Sequence, residues 1–84
     1  MNNKILILVN CPVLEKTYEI FVPVGKKIGT VINLIIKAIN ELSDENFPTN
    51  VNAWLYNKDT GEKYSKNVTI KEAGIVNEME VIFL

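Results

Sequence analysis

The sequence predicts a single α+β domain over residues 1-84, a mixed sheet of four to five strands packed on one helix. Two observations carry this. Short stretches that are β-branched and aliphatic or alternating open and close the chain and recur in its second half, as strands require. Between them a single segment, Lys27 to Leu42, repeats its apolar residues at helical spacing. No linker, internal repeat or low-complexity stretch divides the chain, and 48% hydrophobic with 23% charged residues is the composition of a compact fold.

The elements follow in order. Lys4 to Asn10 (KILILVN) is apolar at every interior position, as in a central strand contacted on both faces, so the parity of its side chains is open. The turn NCPVLE, with Cys11 in it, leads into Lys16 to Pro23, where Tyr18, Ile20 and Val22 share one face and Thr17, Glu19 and Phe21 the other. Pro23 ends that strand by withholding an amide. In the helix, Ile28, Val31, Ile32, Ile35, Ile39 and Leu42 form the core stripe, widened by Leu34, Ile36 and Ala38. Phe47, in the loop SDENFPTN, is expected to plug the core edge. Val51 to Asn57 reads as a third strand, Glu62 to Tyr64 as a short fourth, Val68 to Ile75 as a helical turn stopped by Gly74, and Glu78 to Leu84 as the last strand.

Composition excludes several function classes. Nine scattered lysines, no arginine and a net charge of -1 supply neither a phosphate-tracking stripe nor a guanine reader, so no nucleic-acid partner is expected. Histidine is absent, which removes the commonest general base and metal ligand. The lone Cys11 cannot form an intramolecular disulfide and reads as a free, weakly reactive thiol. The acidic pairs Glu15/Glu19, Asp44/Glu45 and Glu78/Glu80 read as solvated surface charge, and Lys26-Lys27 as solubility. No enzyme, cofactor or metal is expected. Ile5 to Val9 is shorter than the roughly 7 to 15 residues of a signal-peptide core, and nothing approaches a membrane span of about 18, so a cytoplasmic location without membrane insertion is expected.

The element order is that of the β-grasp, and the chain resembles the ubiquitin-like superfamily over nearly its whole length. Tyr18, Ile20, Val22, Pro23 and Ile28 match its second strand and helix entry. IKEAGIVNEMEVIF matches its ending, with Ile70, Ala73 and Ile75 packing before an alternating strand. Within the superfamily the sequence is similar to the YukD/EsaB-like proteins of bacterial type VII secretion systems, in length, in TYEIFVP and in the aliphatic helix. Where such domains often carry a Gly-Asp turn, this sequence has VNEME, with Asn77 expected in the left-handed backbone. Ubiquitin and the ThiS/MoaD sulfur carriers act through a thin C-terminal Gly-Gly. The resemblance therefore implies that a chain ending Ile82-Phe83-Leu84 is neither conjugated nor a sulfur carrier, unless it is extended or processed.

Face parity then predicts a docking surface. Met79, Val81 and Phe83 point inward and Glu80, Ile82 and Leu84 outward. Inward Val51, Ala53 and Leu55 send Trp54 and Tyr56 outward, because the opposite choice would bury Asn52. In a β-grasp these strands adjoin the first, so Leu6, Leu8, Trp54, Tyr56, Ile82 and Leu84 are expected to form one continuous patch on the open face. A patch of that kind marks a protein interface. The expected function is a non-catalytic ubiquitin-like interaction module, an accessory or regulatory component of type VII secretion. The alternative is a self-associating structural protein, a homodimer pairing two such faces, or a small regulatory subunit of another enzyme complex.

Overall fold

A computed structural model describes residues 3–43 and 52–84. The chain runs β1 (Lys4–Cys11), a 3-10 turn (Pro12–Leu14), β2 (Lys16–Pro23), α1 (Ile28–Leu42), β3 (Leu55–Asn57) and β4 (Met79–Phe83). The sheet order is β2-β1-β4-β3. β1 is antiparallel to β2 and parallel to β4, and β3 is antiparallel to β4. The expected Val51 and Phe47 contacts lie outside the described residues.

Alternation in the strands sets what is buried. Ile7, Val9 and Cys11 of β1, Tyr18, Ile20 and Val22 of β2, Leu55 of β3, and Val81 and Phe83 of β4 all enter the core. Facing them are Ile28, Val31, Ile32, Ile35, Ile36 and Ile39 of α1. The side chains Leu6 and Leu8 between the buried β1 positions are only half-buried, which settles the open parity and corrects the two-sided reading of that strand. β1 is central because it has two strand neighbours, but the helix covers just one of its faces.

Several boundaries differ from expectation for physical reasons. Cys11 is not a turn residue: β1 carries it into the core, where it is fully buried, and the turn is made by Pro12 to Glu15, with Glu15 left-handed at φ 54°. Leu42 leaves the core stripe and is 62% exposed, because α1 ends there: Ser43 donates both its amide and its hydroxyl to the Ile39 carbonyl. The expected fourth strand reduces to one bridge, Tyr56 to Lys63, flanked by bonds from Asn57 N to Glu62 O (2.8 Å) and Tyr64 N to Leu55 O (2.9 Å). The left-handed residue before β4 is Glu78 (φ 67°) rather than Asn77, whose Oδ1 instead accepts the Leu6 amide at 2.9 Å.

The helical turn after residue 68 forms as its sequence suggests, through a reciprocal cap. Thr69 N donates to Glu72 Oε1 (2.9 Å) and Glu72 N to Thr69 Oγ1 (3.0 Å). Hydrogen bonding from Thr69, its backbone amide first and its side chain second, holds the Glu72 carboxyl below its ordinary value. Gly74, at φ 77°, ends the turn where a side chain would be strained. At the other end of α1, Ile28 N and Gly29 N donate to the Val68 and Lys66 carbonyls (2.8 and 3.1 Å), so the 66–68 segment satisfies helix donors that no side chain caps. A Cβ on Gly29 would stand 3.3 Å from the Lys66 carbonyl oxygen, which is why glycine suits that position.

Two buried hydroxyls, those of Tyr18 and Tyr64, are poorly served among the described residues. The Tyr18 hydroxyl is enclosed and makes no hydrogen bond among the described residues. An unmatched buried hydroxyl costs about 1–3 kcal/mol, so Tyr18→Phe is expected to leave stability unchanged or raise it by up to about that amount, read from urea midpoints. A clear loss of stability would show that the hydroxyl is matched after all.

Candidate functional site

The face of the sheet opposite α1 carries no covering element among the described residues. It is built from the outward positions of four strands, and the register fixes who stands beside whom. Leu6 is opposite Phe21, Leu8 lies between Glu19 and Glu80, and Asn10 lies between Thr17 and Ile82. Ile82 is also opposite Tyr56. The pairing runs one step past β3, since Trp54 N donates to Leu84 O (2.7 Å) and Leu84 N to Trp54 O (3.1 Å).

All six residues expected on this face are therefore brought to it, but not as one continuous patch. Asn10 Nδ2 donates to Glu80 Oε2 (3.2 Å), and Lys58 Nζ pairs with Glu80 Oε1 (3.2 Å). From the register, the Asn10–Glu80 bond crosses the diagonal between Leu8 and Ile82. It divides the face into a Leu6–Leu8–Phe21 group and an Ile82–Tyr56–Trp54–Leu84 group. Phe21, 66% exposed, was legible in the alternation of β2 and is the largest exposed apolar side chain of the first group.

The second group is an aromatic corner with two cations on it. Lys63 Nζ lies 4.4 Å and Lys66 Nζ 4.1 Å from the centre of the Trp54 ring, and Lys63 reaches to 6.0 Å from Tyr56. Cations over aromatic faces are attracted by the ring quadrupole, and here both ammonium groups sit on the indole, which is half-buried rather than free. Periodicity did not reveal these lysines, because the 62–68 segment reaches Trp54 only by folding back over the edge of β3.

The polar divider has an electrostatic signature. Hydrogen bonds from Lys58 first and Asn10 second hold the Glu80 carboxyl below its ordinary value of 4.5. A depressed carboxylate contributes stability that is fully present above the unfolded value and lost as pH falls through the folded one. Lys58→Ala is expected to move Glu80 back toward its ordinary titration, followed by carboxyl chemical shifts. An unmoved midpoint would mean that the ion pair does not form. Behind β3, burial lifts the Tyr64 phenol above its usual range, with Asp59 adding to the shift. The Asn57 side chain opposes it from nearby, without the alignment of a formed hydrogen bond.

Elsewhere a groove along α1 is lined by Asn33, Ile36, Lys37, Asn40 and Glu41, on the other side of the molecule from the open face. No helix among the described residues is long and apolar enough to cross a membrane.

No protein-family model and no curated protein matches the sequence. Solved structures do match. The ubiquitin-like domain of EccD5 from Mycobacterium xenopi superposes with a TM-score of 0.78 at 11% identity, over 99% of this chain and 94% of that one. The ubiquitin-like domain of the Mycobacterium tuberculosis type VII secretion system protein EccD1 gives 0.75 at 10% identity, over 100% and 99%. A ubiquitin-like domain from Arabidopsis thaliana gives 0.72 at 20% identity, over 99% and 78%. At these identities the likeness is one of fold, and the chain has the ubiquitin-like β-grasp fold, one helix on a mixed four-strand sheet.

Proposed function

We propose that this chain is a non-catalytic protein-interaction module that docks a protein partner through its open sheet face. We further propose that the partner belongs to a bacterial type VII secretion system, which the chain serves from the cytoplasm. The observation that carries the docking reading is the pair of apolar groups, Leu6–Leu8–Phe21 and Ile82–Tyr56–Trp54–Leu84, on the face that α1 leaves uncovered. Large half-exposed aromatics on a rigid strand lose little side-chain entropy when they bind, which makes them effective anchors. The secretion reading is supported by the fold shared with the EccD1 and EccD5 domains and by the likeness of TYEIFVP and the aliphatic helix to the YukD/EsaB-like proteins.

The test is affinity capture from the host bacterium with the tagged chain and with Leu8→Lys. Glu19 and Glu80 flank residue 8 across both neighbouring strands, so a lysine there is paired on the sheet and the fold survives while the apolar surface is lost. Secretion-system components captured by the parent chain and lost with the variant are the expected result. Equal capture by both overturns the docking face, and capture of unrelated proteins by the parent chain overturns the secretion assignment. A mass that doubles with concentration in the parent chain, and not in the variant, would assign the face to a second copy instead.

A further inference from the structure

The open face is electrically uneven in a way that specifies the occupant of one end. Around Leu8 the charges are carboxylates, and Glu80 is already answered by Lys58. At the Trp54 corner the opposite holds. Among the described residues Lys66 Nζ has one neutral acceptor, Asn52 Oδ1 at 3.1 Å, and Lys63 is held only by ring faces. Among the described residues neither ammonium meets a carboxylate, although each has three donors to offer.

These cations are also held in place. Their segment is tied to the edge of β3 through the Glu62 carbonyl and the Tyr64 amide, and to the start of α1 through the Lys66 and Val68 carbonyls. Gly29 admits the backbone and stem of Lys66 at close range. Two preorganised positive charges, uncompensated among the described residues, therefore border an aromatic surface that continues into Ile82 and Leu84.

We propose that this corner takes an acidic peptide segment of the protein partner, two carboxylates meeting Lys63 and Lys66 while an apolar side chain lies against Trp54, Ile82 and Leu84. The inference rests on the reading of the open face as a protein-docking surface and adds the chemistry of what docks there. A nucleic acid fits less well. Its backbone needs a run of cations, whereas this corner offers two, with Glu62 next to Lys63 in the chain and Lys58 already paired to Glu80.

The probe is a synthetic peptide, acetyl-Glu-Asp-Leu-Phe-Asp-Glu-amide, titrated against the full chain at low salt and followed by the emission of Trp54, the sole tryptophan. Its lysine-for-acid counterpart and a short oligothymidylate are run beside it. The acidic peptide should bind about tenfold more tightly than the basic one, as expected for two solvent-exposed charge pairs, and the preference should fall with added salt. The double substitution Lys63→Glu/Lys66→Glu should reverse the preference, and the milder Lys63→Gln/Lys66→Gln, which removes both charges and keeps the first carbons of each side chain, should abolish it. Equal binding of both peptides, or a preference that survives both double variants, overturns the proposal. Tighter binding of the oligothymidylate assigns the corner to a phosphate polymer and overturns it too. If peptide preference is absent while Leu8→Lys still abolishes partner capture, this inference fails and the docking face stands. Charge preference at the corner with capture indifferent to Leu8→Lys is the converse.

Discussion

Phe83→Ala is expected to remove most of the chain's stability. Phe83 is 1% exposed, lies on β4 between the core of the sheet and α1, and is opposite Leu55 across the edge pairing. Truncating a buried phenylalanine costs about 3–5 kcal/mol, because the surrounding side chains collapse only partly into the space left behind. Small single domains hold about 5–15 kcal/mol in all, with a chain of this size toward the low end, so the loss removes most of the margin. Circular dichroism and urea unfolding check it. The milder Ile35→Val, at the centre of the helical stripe, should cost about 0.5–1.5 kcal/mol and keep the fold. A Phe83→Ala protein that melts cooperatively within about 1 kcal/mol of the parent would mean that β4 does not face the helix in this register.

Tyr56→Thr is the second large effect, and it falls on binding rather than stability. Tyr56 is half-buried on the outer face, opposite Ile82, and a β-branched residue suits a strand at that position. A tyrosine anchor in a docking surface is worth about 2 kcal/mol or more, so partner affinity should fall by about thirtyfold or more while the unfolding midpoint barely moves. Binding titrations against the captured partner, paired with urea unfolding, separate the two. A large loss of stability together with binding would show that Tyr56 is core rather than interface.

Much of the fold was legible because its signals are local. The spacing of Ile28, Val31, Ile32, Ile35 and Ile39 dictated α1, and the alternation of Tyr18, Ile20 and Val22 dictated the buried face of β2; both hold in the structure. The parity of β1 was not legible, since an unbroken aliphatic run looks the same from either face; only the placement of the helix decides that Ile7 and Val9 go in and Leu6 and Leu8 stay out. Of the six expected face residues, Trp54, Tyr56, Ile82 and Leu84 follow from alternation alone, whereas Leu6 and Leu8 wait on the parity of β1. What divides them follows from neither, because the Asn10–Glu80–Lys58 chain depends on the register between strands distant in sequence. The lysines over Trp54 depend on a segment that folds back over the sheet edge, for which no periodic pattern exists. The Thr69–Glu72 cap had a readable signature in its spacing.

The central claim is that the open sheet face, and not the helix side, is where a partner sits. Site-specific photo-crosslinking in the host tests it most directly, with benzoylphenylalanine placed at Tyr56, at Phe21, or at Lys37 on the exposed side of α1. The account predicts adducts to the same partner from Tyr56 and Phe21 and none from Lys37. Adducts from Lys37 alone, with both sheet positions silent, would contradict it.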